Sequence, residues 1–90
     1  MASDTSTRPP EDVRVGATIK ALREAHELSA TELARAIGVS LPLMSLIESG
    51  DRHASMAHCR DIARILNVKL AAITVEGYER IADEPEQAAS

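Results

Sequence analysis

The apolar positions of this chain recur at helical spacing in four stretches separated by capping residues. The first opens near Asp12, with Val15, Ile19 and Leu22 at i, i+4 and i+7 and Ala25 close behind, and fades over His26–Leu28. Gly16 sits inside it, where a glycine costs helix stability and points to close packing against another element. In the second, Ser29 is a cap and Glu32, three residues on, completes a capping box. Leu33, Ala34 and Ile37 form its apolar stripe. Gly38 stands where a left-handed residue stops a helix at little steric cost. Val39 fills the corner and Ser40 caps the third stretch, in which Met44 and Ile47 face inward and Gly50 ends the helix. Pro42 falls in the first turn, where a missing N–H costs nothing. Asp51–Ala54 is a loop. Ser55 caps the fourth helix, whose inner face is Met56, Cys59, Ile62, Ala63 and Leu66, and Asn67 follows in a position that tolerates left-handed geometry.

Beyond Val68 the pattern weakens. Leu70 to Ile73 fits a short fifth helix, while Ala72 to Val75 is β-branched enough for a short strand; the helix is the preferred reading. Residues 1–11, MASDTSTRPPE, are polar with consecutive prolines and read as a disordered arm, and residues 83–90, DEPEQAAS, as an acidic disordered tail. There are no internal repeats. The expectation is one all-α domain: an arm at 1–11, a compact five-helix unit at 12–75, and a C-terminal extension with the acidic tail at 76–90.

Composition narrows this picture. Ninety residues make one small domain with a modest core, marginal without a partner subunit. Phe and Trp are absent and Tyr78 is the one aromatic, so the core is aliphatic, which suits a helical bundle better than a β-sandwich. The net charge of −4 is unevenly spread: residues 13–75 carry eight Lys/Arg against six Asp/Glu, and the acidity lies in the two ends. A mildly positive body can bind phosphates, although it is not a strong electrostatic footprint. Cys59 is the only cysteine, so no intrachain disulfide forms, which fits a reducing cytoplasm. No apolar run approaches transmembrane length and the N-terminus lacks a signal-peptide core, so a soluble cytoplasmic protein without membrane contact is expected. No enzyme site is legible: there is no phosphate-cradling Gly-rich loop, and Ser45 and Ser55 have no base beside them in sequence. His53, His58 and Cys59 lack zinc-site spacing, so neither metal nor cofactor is expected.

The stretch Ser29–Gly50 is a helix-turn-helix pattern. Its residues Leu33, Ala34, Gly38, Val39, Ser40, Met44, Ser45, Ile47, Glu48 and Gly50 resemble the DNA-binding family of phage lambda-type repressors, Cro proteins and related small bacterial regulators. The likeness extends upstream through Gly16, Ile19, Leu22 and Arg23, and downstream through Arg52, Ser55, Ile62, Ala63, Leu66 and Val68. It implies a lambda-repressor-like fold and sequence-specific binding to a double-stranded DNA operator by a small transcriptional regulator. It also implies that the third helix enters the major groove, which puts Ser40, Leu41, Pro42, Leu43, Ser45 and Leu46 at the base-facing positions. Phosphate contacts map to Lys20, Ala30, Thr31, Arg35, Arg52 and His53, together with the N–H groups that open the second and fourth helices. Arg23 and Glu48 correspond to a structural ion pair between the first and third helices. Cro-type relatives dimerise through a short strand such as Ala72 to Val75 could form, and helix-turn-helix dimers read half-sites about one helical turn apart, so a homodimer built from residues after Val68 is expected, with Leu70, Ile73, Val75, Tyr78 and Ile81 as candidate contacts; the competing reading packs these residues on their own core.

The third helix departs from the family pattern. Bases are usually read by Arg, Lys, Asn or Gln, and none stands at those positions. Ala30 stands where relatives often carry a glutamine that touches the DNA backbone. Two readings stay open: DNA binding with specificity from thymine methyls and DNA shape, or a protein-binding module, antitoxin-like or anti-regulator, that keeps the scaffold and uses the leucines against a protein partner.

Overall fold

The computed structural model describes residues 9–74, which form four α-helices and one 3₁₀ turn, with no strand among the described residues. Helix α1 (Pro10–Ala25) starts two residues before Asp12. Pro10 occupies the first turn, where its fixed φ suits the helix and its missing N–H is not needed, and Glu11 and Asp12 favour the positive helix end. The helix closes through Glu27, a non-glycine residue at φ 58°, with the Leu28 N–H donating to the Arg23 carbonyl at 3.1 Å.

Helix α2 (Ala30–Ile37) opens on the expected capping box. Ser29 Oγ accepts from the Glu32 N–H at 3.0 Å, and Glu32 Oε1 accepts from the Ser29 N–H at 2.8 Å. Gly38 is left-handed at φ 78°. After Val39 and Ser40 the chain continues in α3 (Leu41–Ser49), turned by 108° from α2. That angle and a three-residue connection are those of a helix-turn-helix. Ser40 Oγ caps α3 through the Leu43 N–H at 3.2 Å, and Gly50 ends it at φ 87°. Helix α4 (Met56–Leu66) is capped by Ser55 Oγ on the His58 N–H and closed by Asn67 at φ 57°.

The core is aliphatic: Val15 and Ile19 of α1, Leu33 of α2, Met44 and Ile47 of α3, Ile62 and Leu66 of α4, and Ile73 are buried together. α1 packs chiefly on α3, α2 on α3 and α4, and the 3₁₀ turn on α4. Burying one such side chain contributes about 1.5–3 kcal/mol.

Among the described residues the expected fifth helix is not confirmed. Leu70–Ala72 makes a single 3₁₀ turn, with no side-chain cap on its first N–H groups. One turn suffices to deliver Ile73 into the core at 2% exposure, while Leu70 lies half-buried against it. Ile73 is therefore a core residue of its own subunit, as in the competing reading. Val75, Tyr78 and Ile81, with the N-terminal arm before residue 9 and the acidic tail, lie outside the described residues.

Candidate nucleic-acid interface

At about 100° per residue, α3 divides into two sides. Met44 and Ile47 are buried, and Leu43 and Glu48 are half-buried beside them. Leu41, Pro42, Ser45, Leu46 and Ser49 form the exposed side, with Leu41 at 43% and Leu46 at 42% exposure. Leu43 differs from its base-facing expectation: it packs against the core cluster, since its phase falls next to that of Ile47. Ser49 joins the outward side, one turn beyond Ser45, and a reading confined to the first half of the helix misses it. Its hydroxyl lies 3.0 Å from the Leu46 carbonyl and 2.7 Å from the Asp51 carboxylate.

The inner side is fixed to α1 by charge. Arg23 Nε donates to Glu48 Oε2 at 2.7 Å and Nη2 to Glu48 Oε1 at 3.2 Å. The two side chains are 10% and 8% exposed. The remaining nitrogen, Nη1, donates to the Leu28 carbonyl at 2.7 Å, so one guanidinium joins α1, the approach to α2 and the end of α3. The hydrogen bond to Glu48 raises the Arg23 pKa above its ordinary value, against burial, which lowers it. Its role is to orient α3.

Lys20, Arg23, Ala30, Ser45, Glu48 and Ser49 line an open groove of about 320 Å³ between α1, the start of α2 and the outward side of α3. Ala30 lines it from the first position of α2. Lys20 is exposed at its edge. Thr31 and Arg35, one turn apart, share the solvent side of α2. Arg52 is exposed directly after α3, and its N–H donates to the Leu46 carbonyl at 3.1 Å. His53 is placed differently from these: it is half-buried, with Nδ1 hydrogen-bonded to the Asp12 carboxylate of α1. The outward side of α3 thus presents hydroxyls and leucines, with Lys20 at the edge of the groove beside it and Arg52 exposed three residues past its end.

Cys59 is fully buried, and burial pushes its thiol up to about 11. Among the described residues no group of three or more His, Cys, Asp or Glu could hold a metal ion. No single helix among them is long and apolar enough to cross a membrane.

The sequence profile of the helix-turn-helix family matches residues 19–73. No curated protein sequence matches the chain. Among solved structures, the restriction-modification controller protein C.AhdI from Aeromonas hydrophila is 26% identical, over 68% of this chain and 92% of its own, with a TM-score of 0.65. The clp gene regulator ClgR from Corynebacterium glutamicum is 23% identical, over 91% of this chain and 87% of its own, with a TM-score of 0.71. A chain of a SinR protein/SinI protein complex is 26% identical, over 83% of this chain and 74% of its own, with a TM-score of 0.64.

Proposed function

We propose a function from one premise: the chain belongs to the helix-turn-helix family, whose profile matches more than half of its length. The protein binds double-stranded DNA as a small transcriptional regulator. Its part in regulation is binding and not catalysis, in keeping with the regulators it is similar to. The observation that carries this reading is the outward side of α3, held in place by the Arg23–Glu48 pair and accompanied by Lys20, Arg35 and Arg52. Leu41, Pro42, Ser45 and Leu46 face the bases in this reading, while Lys20, Thr31, Arg35, Arg52 and the N-terminal N–H groups of α2 meet phosphates.

One α3 spans only a few base pairs, and helix-turn-helix proteins gain site length by pairing two-fold copies on half-sites about one turn apart. We therefore assign a homodimer acting on a two-fold operator, and a cytoplasmic location, where DNA is at hand and a free thiol is stable. An electrophoretic shift series on a random-sequence duplex pool, across a range of salt, tests the reading. Retained complexes that weaken steeply with salt are expected, and absence of any complex at low salt overturns it. The exposure of Leu41 and Leu46 favours a second reading, a protein partner on the same helix. One of the similar structures is itself a complex of two proteins. In that case Leu41→Ser with Leu46→Ser removes the partner and leaves DNA affinity unchanged.

A further inference from the structure

We infer that the outward side of α3 recognises thymine through its C5-methyl group, so that the DNA this protein selects carries thymines where Leu41 and Leu46 dock. The inference rests on the DNA-binding reading and names the chemistry of the site selected. Its basis is the composition of one exposed surface. Of the five exposed α3 residues, Leu41, Pro42 and Leu46 have no hydrogen-bonding side-chain atom, and the Ser49 hydroxyl already engages the Leu46 carbonyl and the Asp51 carboxylate. No guanidinium, ammonium or amide projects from this side, so the bidentate contacts that identify guanine and adenine are not available to it. In the major groove the one apolar feature that tells the four base pairs apart is the thymine methyl. Two leucines at 43% and 42% exposure are matched to that feature and to no other on a base edge.

Charge supports duplex DNA over an apolar protein surface as the occupant. Lys20 borders the groove that Ser45 and Ser49 line, and Arg52 follows the end of α3, so a ligand seated on the leucines meets cations alongside them. The backbone of a duplex supplies phosphates there, and its base edges supply methyl groups between them. Leu41 and Leu46 lie five residues apart, a rise of roughly 7.5 Å and a rotation of about 140° around α3 at about 100° per residue. The two side chains therefore stand at opposite edges of the exposed side and meet different bases, not a single one.

The test uses the tightest-binding duplex from a random-oligonucleotide selection with the full chain, synthesised once with thymine and once with deoxyuridine. This exchange removes the methyl group and keeps every hydrogen-bonding atom of the base. Affinity is expected to fall about four-fold for each contacted thymine, the ratio that corresponds to about 0.8 kcal/mol per buried carbon group. With Leu41→Ala and Leu46→Ala together, which alter only exposed side chains, the thymine-to-uracil ratio is expected to fall to one. Equal affinity of the parent for the two duplexes overturns the inference while leaving DNA binding intact. A ratio that persists in the double variant also overturns it, since the methyls are then read elsewhere. Failure to bind any duplex overturns the DNA reading and the inference with it.

Discussion

Gly16 of α1 lies directly against the backbone of Ile47 in α3: a Cβ at Gly16 would stand 2.3 Å from the Ile47 carbonyl oxygen and 2.6 Å from that of Glu48. Both obstacles are backbone atoms of a helix, so neither can swing aside, and a larger residue has to push α1 off α3. Gly16→Ala is expected to destabilise the fold by about 1–3 kcal/mol, in the range of overpacked cores, despite the gain of roughly 0.5–1 kcal/mol that alanine brings inside a helix. Thermal unfolding checks it; a melting temperature equal to or above the parent's would show that the two helices separate at no cost. Gly38→Ala is the control, because nothing lies within 4 Å of its would-be Cβ and only the left-handed φ of 78° resists the change.

The Arg23–Glu48 pair calls for a different pattern of losses. Arg23→Ala strands a carboxylate that is 8% exposed, and Glu48→Ala strands a guanidinium that is 10% exposed. Each single change is expected to cost about 3–5 kcal/mol, while replacing both by apolar residues of similar volume, Arg23→Met with Glu48→Met, is expected to cost much less. A denaturant series on all variants decides the matter. If the double variant is as unstable as the sum of the singles, the pair acts as two unrelated contacts.

These features differ in how far the chain alone announces them. The caps were legible because their chemistry is local: Ser29 with Glu32, Ser40, Ser55, Gly38, Gly50 and Asn67 all act within a few residues of their own position. Gly16 was legible as an anomaly, an unfavourable residue that only a close crossing explains. What escaped was phase and distance. Leu43 looks like a groove-facing residue until the helix is wound, when it falls beside Ile47 on the core side. The His53–Asp12 contact joins residues 41 apart in sequence, and no spacing rule reaches that far. The left-handed Glu27 carries no glycine or asparagine to mark it. Where a fifth helix was expected, the described residues hold one 3₁₀ turn followed by the buried Ile73, a long-range packing that the short apolar segment does not announce.

Cys59 makes stability depend on alkaline pH. Burial raises its thiol from 9.0 to about 11, so the folded chain keeps the proton after the unfolded chain has lost it. Its contribution is complete below pH 9 and is lost as pH rises toward 11, at about 1.4 kcal/mol per pH unit. Cys59→Ala removes this slope, whatever it does to absolute stability by leaving a small void. Parallel slopes for the parent and Cys59→Ala between pH 9 and 11 would show the thiol to be solvated. In the folded parent, the thiol is also expected to resist alkylation at neutral pH and to react at once after unfolding.

Arg52 separates phosphate contacts from base contacts. It is exposed at the end of α3 and is joined to it through its own N–H on the Leu46 carbonyl, so its side chain can change without disturbing the helix. A phosphate contact contributes to every DNA sequence alike and releases a counterion, so log K falls with log salt at a slope of about −0.9 per phosphate neutralised. Arg52→Ala is therefore expected to weaken specific and non-specific duplexes by the same factor and to flatten the slope by about one unit per site lost. Leu46→Ala is expected to do the reverse, reducing affinity for the selected duplex and leaving the slope unchanged, because it carries no charge. A titration of both variants at several salt concentrations distinguishes the roles. If Arg52→Ala changes the preference among sequences and leaves the slope intact, Arg52 reads a base and not a phosphate.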